Sequence, residues 1–215
     1  MRRKILSAVI AVMMIVGGSG ILSLARIQVV KAVSDSKTQT IVLSVTSTIT
    51  LTLATSTVNL GTLAPGTPLS ATTSLSVTTN DGNGWNLQVM RDDATTTLNL
   101  NGTSTPDTTF PDATAWAYAT PNATTSANVG ANLSFRIFQT GTDAALYNAS
   151  WWGADDTAPN ALFAGFPATN QQLATIASYV GSAQAVAYGF RADAPGTQPG
   201  GTYSGTVTFT AITNP

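Results

Sequence analysis

The side chains best equipped for chemistry stand close together at Trp151-Trp152 and Asp155-Asp156, with only Gly153 and Ala154 between them. Adjacent indoles followed by paired carboxylates can stack on a sugar face and bind its hydroxyls, and such aromatics are enriched at interface hot spots. The plain alternative is that both indoles staple a long loop. Asp155-Asp156, Asp92-Asp93 and Asp81 with Asn83 are the oxygen-rich groups from which a Ca²⁺ site would be built, but their spacing follows no Ca²⁺ loop. Paired carboxylates also hydrolyse glycosides, provided that two face each other across a cleft and one has a raised pKa. The remaining catalytic repertoire is missing. The chain has no histidine and no cysteine, and all ten of its acids are Asp. General acid–base work draws mostly on His or Glu, activated nucleophiles need a nearby base, and zinc sites use Cys or His. The expectation is a non-enzymatic protein with no catalytic residue, no metal and no cofactor, whose contact residues are Trp151, Trp152, Asp155 and Asp156.

The first 32 residues read as an export signal. Arg2, Arg3 and Lys4 precede a run from Ile5 to Val16 that is apolar apart from Ser7, and Ile21 to Ala25 resumes it after a Gly-rich break. Small-residue cleavage sites stand at Val30-Lys31-Ala32 and at Ser23-Leu24-Ala25. The first is preferred, which puts the mature start at Val33. The rival is an uncleaved anchor, since Ile5 to Ala25 approaches the roughly 20 residues of a membrane span. Either way the body, residues 33–215, is expected outside the cell. That body holds four basic residues and ten acidic ones, a net of −6. Nucleic acid and anionic lipid both call for Lys/Arg clusters, so neither is an expected partner. Attachment to a cell surface would be non-covalent or through the N-terminal segment.

These side chains must be positioned by strands, because the period after the signal is two almost throughout. Ile49, Leu51 and Leu53 alternate with Thr, and so do Leu75 and Val77 with Ser and Thr. Trp85, Leu87 and Val89 form another such run, as do Leu133, Phe135 and Ile137; Val186, Tyr188 and Phe190; and Tyr203, Val207 and Phe209. Alternation of this kind marks half-buried strands, and β-branched Thr fits them well. Thr38 to Val45 reads as a first, weaker strand, and Gln171 to Tyr179 as a short turn of helix. Turns are signalled by Ala64-Pro65-Gly66-Thr67-Pro68, Asn80-Asp81-Gly82-Asn83-Gly84 and Ala194-Pro195-Gly196. The pattern predicts one all-β domain, an Ig-like antiparallel β-sandwich of about seven to nine strands. Two stretches, 92–131 and 140–170, are too long for ordinary connections. They are functional loops or carry extra short strands.

Three motifs in order resemble the WxL domains of bacterial cell-surface proteins. They are Val58-Asn59-Leu60-Gly61-Thr62-Leu63, then Trp85-Asn86-Leu87 after a Gly-rich turn, then the closing Gly200-Gly201-Thr202-Tyr203 strand that runs to Phe209. The resemblance implies a cell-wall-associated, adhesive or structural role, with cell-wall polysaccharide, peptidoglycan or other surface proteins as partners. Within it Trp85, Leu87, Tyr203 and Phe209 are structural. Where the family has a second Trp-x-Leu, this chain has Phe209-Thr210-Ala211. The closing strand is also similar to that of spore-coat-U-like secreted pilus subunits. A carbohydrate-binding module and a subunit assembled by strand exchange therefore stand as alternatives.

Overall fold

The computed structural model describes residues 35–101 and 109–215. The first 32 residues, read as an export signal with its cleavage site, lie outside the described residues. The chain divides into two units, Met1–Leu43 and Ser44–Pro215. In the first, residues 35–43 have no regular structure, and Lys37 Nζ lies 3.1 Å from Asp35 Oδ1.

The second unit is an all-β antiparallel sandwich. Its seven long strands are β1 (Ile49–Leu53), β2 (Leu69–Thr79), β3 (Trp85–Arg91), β7 (Leu133–Ile137), β9 (Gln171–Ile176), β10 (Gln184–Ala192) and β12 (Val207–Thr213). Five short strands, β4 (Leu98–Leu100), β5 (Thr109–Phe110), β6 (Thr124–Thr125), β8 (Leu162–Phe163) and β11 (Tyr203–Ser204), complete the described set. One sheet runs β1-β2-β10-β7 and the other β12-β3-β9. With the long strands lettered in chain order, the sheets read A-B-F-D and G-C-E, whereas an Ig constant domain has ABED and CFG.

The two-residue period does the work expected of it. In β3 the inward Trp85, Leu87 and Val89 are buried, while Asn86, Gln88 and Met90 are half-buried. From the opposite sheet Leu75, Val77, Phe135, Ile137, Val186 and Tyr188 meet them in one core. Trp85 is held at the strand's start by the tight turn before it. Gly84 has φ +78°, and a Cβ there would lie 2.0 Å from the Ile176 carbonyl oxygen, so only glycine lets the two chains come this close.

Two expectations fail. Gln171–Ile176 is a strand, not a helical turn. A bulge opposite Leu87/Gln88 turns both Leu173 and Ala174 inward, and this breaks the alternation that would have marked it. Thr38 to Val45 is not a strand; residues 35–48 have no regular structure. Its alternation is real, but a strand exists only where a neighbour takes up its backbone groups.

The two long stretches carry short elements of their own. The first holds β4, β5, β6 and a single helical turn, α1 (Ser126–Val129); the second holds α2 (Ala149–Trp152) and β8. They are joined to each other, because β6 pairs with β8.

Candidate functional site

Trp151 and Trp152 lie on α2, not on a strand. Asn148 caps this one-turn helix, its Oδ1 accepting from the Ser150 N–H at 3.0 Å. Gly153 ends it at φ +98°, where a Cβ would meet the Asn160 carbonyl oxygen at 1.8 Å. On a helix adjacent side chains diverge by about 100°. The pair therefore divides between core and surface. Trp152 is fully buried, with its ring centroid 4.7 Å from Trp116 and 5.4 Å from Phe135. Trp151 is half-buried, 5.7 Å from Trp116 and edge-on to Tyr118 at 5.4 Å. Tyr118 itself is 42 % exposed. The two outer rings, one from each long insertion, make an aromatic ledge. Beside it lies an open hollow of about 350 Å³ lined by Leu146, Tyr147, Asn148, Trp151, Ala174 and Thr175.

The carboxylates are occupied elsewhere. Asp155 Oδ1 accepts from the Thr157 hydroxyl at 2.7 Å and its N–H at 2.8 Å, and Oδ2 accepts from the Asn160 amide at 2.8 Å. These donors hold its pKa below the usual carboxylate value. Asp156 accepts from the Gln139 N–H at 2.7 Å and the Thr140 N–H at 2.8 Å, and it pairs with Arg136 at 3.1 Å. Burial pushes the Asp156 carboxyl up, but the two N–H donors and the guanidinium outweigh it, and the net shift is down. Both groups close turns and neither reaches toward the ledge rings by any hydrogen bond.

Arg136 is the residue that sequence reading missed. It sits in β7 among Leu133, Phe135 and Ile137 and is completely buried. Its Nη2 donates to the Trp152 and Asp155 carbonyls at 3.0 and 3.1 Å and to the Tyr147 hydroxyl at 3.2 Å, besides Asp156. The guanidinium also lies over the Phe138 ring, 4.9 Å from its centroid. One cation thus ties Tyr147, the end of α2 and the Asp155-Asp156 turn to β7. Its sequence signal was a lone charge within an apolar alternating strand. Tyr147 passes the connection on, donating to the Gly153 carbonyl at 2.8 Å; burial raises its pKa.

The other acidic groups behave alike. Asp93 gathers the Thr95 hydroxyl and N–H at 2.7 Å each, and these donors lower its pKa to about 2. Asp92 accepts from the Thr208 hydroxyl at 2.7 Å, and Asp81 from the Asn83 N–H at 2.8 Å. Asp112 pairs with Arg91 at 3.0 Å, yet burial dominates and raises its pKa. Among the described residues no three of His, Cys, Asp and Glu converge as a metal would need.

Of the positions that carry the WxL resemblance, Trp85, Leu87 and Phe209 lie in the sandwich sheets, whereas Tyr203, read as one closing strand with Phe209, stands on β11 in the separate β11-β4-β5 sheet. Trp85 and Leu87 are in the core, Tyr203 packs edge-on against Phe110 at 5.6 Å, and Phe209 meets Tyr188 across the sheets at 4.7 Å. Compared with protein-family models and with curated proteins, the chain matches none.

Proposed function

We propose that this is an exported, non-enzymatic sandwich protein with a structural or adhesive role at the cell surface, of WxL-like type. The observation that carries the reading is how the polar groups are used. Asp81, Asp92, Asp93, Asp112, Asp155 and Asp156 all accept hydrogen bonds from the protein's own backbone or side chains. Carboxylates engaged in this way are poorly placed to act on a substrate, which favours adhesion over turnover. The WxL-like motif is compatible with this, its Trp85 and Leu87 being core residues of the scaffold. Purified protein mixed with peptidoglycan or whole cell walls should sediment with them. Recovery of all the protein in the supernatant at every wall concentration would exclude wall association.

A second reading, a carbohydrate-binding module, is favoured by the Trp151–Tyr118 ledge beside its hollow. Aromatic faces of this kind stack on sugar rings. It requires saturable affinity for a soluble glycan, lost in Trp151→Ala.

A further inference from the structure

The hollow beside Trp151 is lined by polar side chains whose hydrogen-bonding roles are set by their neighbours. Asn148 Oδ1 accepts from the Ser150 N–H at 3.0 Å. A backbone N–H can only donate, so the orientation of this amide is settled, and its two remaining N–H donors sit on Nδ2. Asn148 Nδ2 donates to no other described residue.

Two hydroxyls of the lining have the opposite character. Ser150 Oγ donates its one proton to Asn148 Oδ1 at 2.6 Å, and Thr175 Oγ1 donates its own to the Trp85 carbonyl at 2.9 Å. Neither acceptor oxygen has a proton to return, so toward a ligand each hydroxyl can only accept. Tyr147, the third hydroxyl, is engaged on both sides, donating to the Gly153 carbonyl and accepting from Arg136. Among the described residues no Asp, Lys or Arg lines the hollow.

A matching ligand must therefore donate to the Ser150 and Thr175 oxygens and accept from the Asn148 amide, all beside an indole. A carboxylate or a phosphate has acceptors only. It would meet two accepting oxygens and no cation to offset its loss of water. An ammonium group has donors only and would find no carboxylate. Sugar hydroxyls do both, and the apolar face of a sugar ring covers an indole. The field of the body, with four basic residues against ten acidic ones, also repels anionic polymers.

We propose that this hollow binds an uncharged glycan, with one ring stacked on Trp151 and its hydroxyls bonded to the Asn148 amide and to the Ser150 and Thr175 oxygens. The proposal rests on the carbohydrate-binding reading and adds the class of sugar and the residues that select it. Three parts of the fold deliver these groups. The turn α2 and its cap bring Asn148, Ser150 and Trp151, and β9 brings Thr175. The first insertion brings Tyr118, whose N–H is fastened to Gln171 Oε1 of β9 at 3.0 Å. The hollow, about 350 Å³, is at the small end of ligand sites, so a short stretch of sugar rings fills it.

Titration calorimetry of the full chain tests this with dextran, mannan and laminarin as uncharged probes and with polygalacturonate and teichoic acid as anionic ones. At least one uncharged probe should bind saturably, with the same affinity at low and high salt because no ion pair forms. Neither anionic probe should bind. Asn148→Asp keeps an oxygen for the Ser150 N–H, since Asp and Asn cap equally well, and removes the amide donor. Thr175→Val removes the acceptor oxygen at nearly constant shape, and Thr175→Ser keeps it. Asn148→Asp and Thr175→Val should melt within a few degrees of wild type and bind about tenfold more weakly. Thr175→Ser should bind as wild type does. An anionic probe that binds as well as or better than every uncharged one overturns the proposal and leaves the carbohydrate-binding reading standing. Binding to none of the five probes removes both. Wild-type affinity in folded Asn148→Asp and Thr175→Val overturns the proposal by placing the sugar elsewhere on the protein.

Discussion

The guanidinium of Arg136, wholly buried in β7, lies 3.1 Å from the carboxylate of Asp156 in the second insertion. This pair, with Tyr147 beside it, ties the end of α2 and the turn after it to β7, alongside the packing of Trp152 on Trp116 and Phe135. Removing one partner strands a buried charge, which costs roughly 3–5 kcal/mol.

Asp156→Ala should therefore lower stability by about 3 kcal/mol, the low end because Asp156 keeps some solvent contact. Arg136→Met combined with Asp156→Ala should be less damaging than Asp156→Ala alone, since no charge is then left unpaired. Urea titrations of the single and double variants check this; additive losses would show that the pair is not coupled.

Trp85→Ala should cost roughly 3–5 kcal/mol, a large share of the 5–15 kcal/mol typical of a domain. The indole is 1 % exposed at the centre of the core. A melting temperature within two or three degrees of wild type would contradict this placement.

The two adjacent indoles should behave differently. Trp152→Ala, opening a cavity among Trp116 and Phe135, should destabilise by roughly 3–5 kcal/mol. Trp151→Ala should melt close to wild type and yet reduce binding to walls or glycans. Thermal melts and a sedimentation assay on both variants separate the roles. Intact binding in folded Trp151→Ala would remove the ledge from consideration.

Stability should fall in acid. The pKa of Asp93 is lowered from 3.8 to about 2, chiefly by the Thr95 hydroxyl, and Asp81, Asp155 and Asp156 are lowered as well. A carboxylate with a depressed folded-state pKa contributes stability that is fully present above its unfolded value and lost as pH falls through the folded one. Melting temperature should thus decline from about pH 4 toward pH 2. Asp112 acts in the opposite sense, because burial raises its pKa, so that its protonation as pH falls favours the native state. The gap between wild type and Asp93→Asn should be widest above pH 4 and shrink toward pH 2, as melts across that range would reveal.

Gly153→Ala should be among the most damaging small substitutions. Its φ of +98° excludes most side chains, and the added carbon would sit 1.8 Å from the Asn160 carbonyl oxygen. Loss of the near-ultraviolet tryptophan signal before the main unfolding transition would report release of α2.

Six of the seven long strands were legible because one face of each is buried and the other is not, which writes period two directly into residue types. The core positions Trp85, Leu87, Val89, Phe135 and Tyr188 followed from that period alone. β9 was missed because its bulge turns two successive residues inward. Thr38 to Val45 was read as a strand because local pattern cannot say whether a partner is present.

The sequence by itself determined the class of protein: alternation and Thr content set an all-β sandwich, and the lack of His, Cys and Glu narrowed the chemistry that its side chains can perform. Only the tertiary structure decided which polar groups remain available. Asp155 and Asp156 look like contact residues until Thr157, Asn160, Gln139, Thr140 and Arg136 are seen to use their oxygens. Trp151 and Trp152 are indistinguishable as letters, and a single helical turn sends one to the core and the other to the ledge. Periodicity is a local property of the chain, whereas hydrogen-bond satisfaction and burial depend on residues far away in sequence that folding brings to the same place.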